Sequence, residues 1–205
     1  MNPVLFFESI QVAIPRKEIY RRLGFIKGVT QISPSQQEEI EQYINDAQSF
    51  INLKGAGLRM PIQEIKGSQI ILAADILFES HKLAALLDTS HEIVLMGATA
   101  GSDIMAAVGE DIAGRNVTRG VVFDATVSEM VDASLDWIMD YFDRTLLREN
   151  RKLLKQRFSA GYGDFFLENQ KTIYHLLQLD RIGIQITETY ILIPEKSVTA
   201  VTGIR

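Results

Sequence analysis

The sequence predicts an α+β fold, and three observations carry that expectation. Helix-type and strand-type periodicities follow one another irregularly instead of as repeated βαβ units, which argues against a doubly wound sheet. The C-terminal part reads strand, turn, strand, with the turn at Pro194-Glu195-Lys196-Ser197. Finally, the 205 residues contain no repeat, linker or low-complexity tract, so one unit over residues 1–205 is the simplest organisation.

The elements are expected in this order. Ile10 to Ile14 alternates as a strand and ends at Pro15, which suits the first turn of a short helix over PRKEIYRRLG, stopped by Gly24. Ser33 is an N-cap before Pro34, and Ile40, Tyr43, Ile44, Ala47 and Ile51 then recur at helical spacing over about 17 residues. Strands are expected over Leu58 to Ile65 and Gln69 to Ala74, and Ser80 opens a helix over HKLAALLD. Glu92 to Met96 reads as a buried strand running into Gly97, and GATAGSDIMAAVG looks helical. The longest helix is expected from near Thr126 past Leu147, with an apolar stripe through Val127, Met130, Leu135, Ile138 and Phe142. Its basic exit (Arg144, Arg148, Arg151, Lys152, Lys155, Arg157) reads as a solvated end that complements the helix dipole. RFSAGYGD breaks the helix, Leu167 to Leu179 forms another, and Ile182, Ile184 and Ile186 alternate as a strand.

Composition excludes several chemistries. Twenty-one Lys and Arg against 26 Asp and Glu give a net charge of −5, which argues against a nucleic-acid binder. With no cysteine there is no disulfide, thiolate nucleophile or cysteine-bound metal. His81, His91 and His175 show no metal-ligand spacing, so no metal site is expected. The N-terminus lacks a cationic segment followed by an unbroken apolar run, and no window is apolar enough to span a membrane. A cytoplasmic location is the default expectation.

Candidate motifs are few. IVLMGATAGSDI places Gly97 and Gly101 as G-x-x-x-G after a strand, which is not the dinucleotide fingerprint, and the Walker lysine is missing. Glu110-Asp111 and the pair Asp132/Asp136, four apart on one helix, read as surface carboxylates. Ser159 and Ser197 have no histidine placed to activate them. The stretch Arg157 to Asp164 is richer. It combines a guanidinium fork that can hold a carboxylate, glycines that admit a ligand to the main chain, and a tyrosine face that can stack on a base. Those are the needs of a zwitterionic nucleoside, although a helix end whose tyrosine plugs the core fits the same residues.

Arg157-Phe-Ser-Ala-Gly161-Tyr162 resembles the Arg-x-x-x-Gly-Tyr motif of the activation (reactivation) domain of cobalamin-dependent methionine synthase. GIQITETYILIPEKSVTA, from Gly183 to Ala200, is similar to that family's Leu-Thr-Glu-Ser…Pro…Ser-Val-Ser-Gly segment, with Thr187-Glu188, Pro194 and Ser197-Val198 in register. The resemblance implies a single mixed domain with a twisted, mainly antiparallel sheet and packed helices. It implies an S-adenosylmethionine groove at Arg157, Ala160, Gly161 and Tyr162, with Gly163, Glu188 and Ser197 as further candidates. Arg157 would take the methionyl carboxylate. The partner implied is a cobalamin-carrying methionine synthase or other corrinoid protein, with a flavodoxin-like electron donor. The alternative is a non-catalytic module that recognises a corrinoid protein.

Some parts of the family pattern are missing. The family follows Gly-Tyr with a Pro- and His-containing stretch, where this sequence reads Gly163-Asp164-Phe165-Phe166. A further tyrosine contact is expected to be absent, because the sequence ends at Arg205. The family's acidic contacts, one on its long helix near Asp136 or Trp137, have no placed counterpart. No Asp-x-His-x-x-Gly cobalamin run is present, so corrinoid chemistry is expected on another chain.

Overall fold

The computed structural model describes residues 2–205. Fourteen elements follow one another: β1 (Leu5–Phe7), α1 (Arg16–Arg22), α2 (Pro34–Ala47), β2 (Lys54–Lys66), β3 (Gln69–Leu72), β4 (Ile76–Glu79), α3 (His81–Leu87), β5 (Glu92–Thr99), α4 (Asp103–Ala113), α5 (Val117–Leu146), α6 (Asn169–Leu177), β6 (Gln185–Ile186), β7 (Leu192–Ile193) and β8 (Ser197–Ile204). The class is α+β, as the sequence predicts. A six-stranded antiparallel sheet runs β4-β3-β2-β5-β8, with β1 also on β2, and β6 and β7 form a separate hairpin. No helix among the described residues is long and apolar enough to cross a membrane.

The sheet separates two cores, and the two-residue period of β5 feeds both. Val94, Met96 and Ala98 face a core completed by α4 and α5. Ile93 and Leu95 face a second core with α3, α6 and the turn after it. The neighbouring strand β2 alternates likewise, with Ala56, Leu58 and Met60 in the second core and Gly55 and Gly57 beneath α5. A Cβ on Gly57 would lie 2.5 Å from the Phe142 ring, and one on Gly55 would lie 2.8 Å from Ile138. These two glycines set how closely α5 approaches the sheet. Gly57→Val is expected to lower the unfolding free energy by about 1–3 kcal/mol through overpacking. Gly109→Ala, with open space around its Cβ inside α4, is expected to be stabilising by about 0.4–1 kcal/mol. Urea unfolding midpoints at constant slope check both.

Local signals set several boundaries. Ser33 and Gln36 form the reciprocal capping box that starts α2. Ser80 caps α3 by accepting from the Leu83 N–H at 3.0 Å.

Four expectations are corrected. Ile10 to Ile14 forms no strand: it makes one backbone bond to Leu53 (2.9 Å), and the paired N-terminal strand is β1. Its alternation reflects Ile10 and Val12 packing inward without a partner strand. The strand at Glu92 continues through Gly97 to Thr99, so Gly97 begins no turn. It is small because Leu179 lies 2.7 Å from where its Cβ would be. Helix α5 begins at Val117, earlier than expected, since Gly120 lets it pack against Ile112 and Asp111 of α4. Packing there overrides a weak helix-forming sequence.

The basic exit of α5 is the fourth. The helix ends at Leu146, and the cations after it are not simply solvated. Arg151 pairs with Glu92 at 3.0 Å, and Glu149 receives both terminal nitrogens of Arg59 at 2.6 and 2.7 Å. These pairs tie the end of α5 to the sheet.

Candidate functional site

After α5, Asn150 adopts a left-handed conformation and the chain returns along the outer edge of β8. Leu154 N–H donates to Gly203 O (2.8 Å), and Phe158 and Val201 exchange backbone bonds at 2.8 and 2.7 Å. Alternation along this extended segment sends Phe158 into the second core and turns Arg157 the other way, towards α5. Arg157 Nη2 donates to Asp132 Oδ1 at 2.7 Å, and Nη1 donates to Asp136 and approaches Met139 Sδ at 3.8 Å. The guanidinium is mostly enclosed, at 20% exposure, whereas the two carboxylates are 57% and 64% exposed. Burial opposes its charge, but the bonds to Asp132 and Asp136 outweigh that and hold its pKa above the ordinary value.

The loop beyond is fixed by what the sequence could not show. Gly161 and Gly163 both have positive φ, +91° and +58°, which fold the chain into a tight reversal. Gly161 N–H donates to Phe165 O at 2.8 Å, and Phe165 N–H donates to Tyr162 O at 3.0 Å. Phe165 is fully buried and meets Phe78 edge-on at 5.3 Å. Asp164 accepts from Ser80 Oγ (2.6 Å) and from the His81 N–H (2.7 Å) at the start of α3. The reversal leaves Tyr162 70% exposed.

Hydrogen bonds from Ser80, then from the backbone of His81 and Lys82, hold the Asp164 carboxyl below its usual pKa. A depressed folded-state pKa contributes stability above the unfolded value, near 3.9, and loses it as pH falls through the folded value. Asp164→Asn is therefore expected to lower the melting temperature at pH 6, with the gap to wild type closing in acid. A gap that stays constant across pH would contradict this role.

Arg157, Ala160, Tyr162 and Ser197 come together in a cleft of about 240 Å³ between the loop, α5, α6 and β8. Gly161 and Gly163 shape the turn beside it. Gly163 lies against Lys82, whose Cδ would be 2.9 Å from an added Cβ. Glu188 does not join this group: it is exposed in the turn between β6 and β7. Ser197 Oγ donates to Thr99 Oγ1 at 2.9 Å and forms part of the floor. The sequence reading missed Asp132, Gln170 and Thr199 as lining residues. Thr199 Oγ1 donates to Gln170 Oε1 at 2.7 Å, which orients that amide at the rim. The i, i+4 spacing of Asp132 and Asp136 was visible, but their partner lies 21 residues beyond Asp136. A wider hollow of about 530 Å³ along α2 is lined by that helix alone, so no groups converge on it. Among the described residues no cluster of three or more His, Asp or Glu could hold a metal ion.

No protein-family profile matches the chain, and no curated protein matches it in sequence. Among solved structures, the MetH reactivation domain bound to AdoHcy is similar, with a TM-score of 0.70 over 98% of this chain and 78% of that one, at 14% identity. The fold is that of the MetH reactivation domain. In the loop of this chain, Asp164 and Phe165 act as helix cap and core plug.

Proposed function

We propose that this chain is a reactivation module that binds S-adenosylmethionine and supports reductive methylation of cob(II)alamin on a separate methionine synthase or other corrinoid protein. The observation carrying the proposal is the cleft itself, where a guanidinium fork, an exposed tyrosine and glycine-bracketed backbone meet. It lies in a fold whose solved example held AdoHcy.

The residues suit a zwitterionic nucleoside. Arg157 gives one N–H from each terminal nitrogen to Asp136 and Asp132 and keeps the second N–H of each for a ligand carboxylate, while Asp132 offers an acceptor to the α-ammonium. Tyr162 offers a face for the adenine, and the backbone at Ala160 and Gly161 lines the approach. A corrinoid on the partner, reduced by a flavodoxin-like donor, would supply the nucleophile, and breaking the methyl–sulfur bond would release the neutral thioether as the leaving group. The cleft therefore needs no general base; binding, orientation and exclusion of water are its contribution.

Calorimetric titration of the chain with S-adenosylmethionine tests this directly, and absence of binding at millimolar ligand overturns it. One observation favours the second reading, a non-catalytic corrinoid-recognition module: the Arg157 fork is already engaged by two carboxylates. A corrinoid protein that binds this chain tightly without ligand-dependent methylation would decide for that reading.

A further inference from the structure

The cations of α1 are sorted by face. Arg16 donates to Glu41 and Asn45 of α2, each at 2.8 Å, and Arg22 donates to Glu129 of α5 at 2.6 Å. Lys17 and Arg21 are exposed and form no ion pair among the described residues. Their placement works against the helix. Like charges at i, i+4 repel, and a cation in the first turn opposes the helix dipole. A third cation without an ion pair, Lys27, comes from the loop that follows α1.

These three cations rim a cleft of about 510 Å³ whose apolar walls are Tyr20, Phe25 and Ile26. That volume suits a small organic molecule. Tyr20 and Phe25 meet edge-on at 5.0 Å, and the Tyr20 hydroxyl donates to Glu41 at 2.9 Å, which fixes the ring. Thr30 Oγ1 accepts from the Ile26 N–H at 2.9 Å, so the loop wall is held in place, yet Ile26 stays 61% exposed. Glu18 is the single carboxylate of the lining, so the cleft is cationic on a chain whose net charge is −5. It shares no lining residue with the Arg157 cleft.

We infer that this second cleft binds a planar organic anion of the aryl or heterocyclic phosphate monoester class. The ring lies against Tyr20, Phe25 and Ile26, and the dianionic group sits among Lys17, Arg21 and Lys27. Arg21 offers a fork to two phosphate oxygens, and the lysines add point charges. A concave cleft with a fixed aromatic wall favours a small molecule over an acidic protein segment. The inference does not depend on S-adenosylmethionine binding elsewhere on the chain.

The test titrates the chain by calorimetry with 1-naphthyl phosphate, and separately with 1-naphthol, inorganic phosphate and a glutamate-rich peptide. At low salt 1-naphthyl phosphate is expected to bind saturably and at least about tenfold more tightly than 1-naphthol or inorganic phosphate, with the advantage over 1-naphthol shrinking as salt rises. Lys17→Gln, Arg21→Gln and Lys27→Gln are each expected to weaken it about three- to tenfold while leaving 1-naphthol unaffected. Ligand-free Lys17→Gln is expected to melt no lower than wild type, because the substitution relieves a repulsion. A merely structural lysine would give the opposite melt. No saturable binding of 1-naphthyl phosphate overturns the inference. Unchanged affinity in all three variants also overturns it, because the probe then sits elsewhere. Binding of the peptide without 1-naphthyl phosphate overturns it in favour of an acidic protein segment. Should a variant not fold, the fragment comparison and salt dependence of the wild type still decide.

Discussion

Arg157→Ala is expected to weaken binding of S-adenosylmethionine by about 30- to 1,000-fold, corresponding to roughly 2–4 kcal/mol for removing one partner of a largely enclosed charge pair. The chain should remain folded. Asp132 and Asp136 are more than half exposed, so water replaces the lost guanidinium and the stability cost stays within about 1 kcal/mol. Arg157→Lys keeps the charge but loses the planar fork, and is expected to recover only part of the affinity. Calorimetry and a parallel thermal melt separate the two effects. Equal ligand affinity in wild type and Arg157→Ala would remove this residue from the site.

Phe165→Ala is expected to cost about 3–5 kcal/mol of stability, the range for truncating a buried aromatic. Its ring fills the second core against Phe78 and Phe158, at centroid distances of 5.3 and 6.3 Å. The same residue closes the reversal through its backbone bonds to Gly161 and Tyr162. Ligand affinity should fall as well, because Tyr162 loses the anchor that presents it. Phe165→Leu retains most of the buried volume and is expected to keep both properties closer to wild type. Denaturant unfolding read beside ligand titration checks the coupling. A destabilised variant with unchanged affinity would show that the cleft does not depend on this plug.

The parts of the fold legible in the sequence are those whose cause is local. Ser33 and Gln36 start α2, and Ser80 starts α3, with partners three residues away. Those caps could be read along the chain, as could the alternation around Pro194. What could not be read depends on partners far along the chain. The strand-like pattern at Ile10 to Ile14 meets no neighbouring strand, and the N-terminal turns of α5 are helical because α4 packs on Gly120.

The site divides the same way. Arg157, Ala160 and Tyr162 were visible as one motif, and Ser197 through a separate similarity. That Arg157 is held by Asp132 and Asp136 was not visible, since nothing in the i, i+4 spacing of two helical carboxylates indicates a cation on a returning segment. Asp164 stood out as a departure from a family pattern, yet its use is to cap a helix 83 residues earlier.

The segment that carries Arg157 also lies along the free side of β8, bonded to it at Leu154 and Phe158. An uncovered strand edge is a template for other chains, so this segment guards solubility while it presents the site. Ligand entry therefore cannot work by peeling it away without leaving the sheet open to self-association. Any adjustment on binding is confined to the reversal beyond Phe158. A change that loosens residues 152–158 would show first as aggregation on storage, before affinity for any ligand declined.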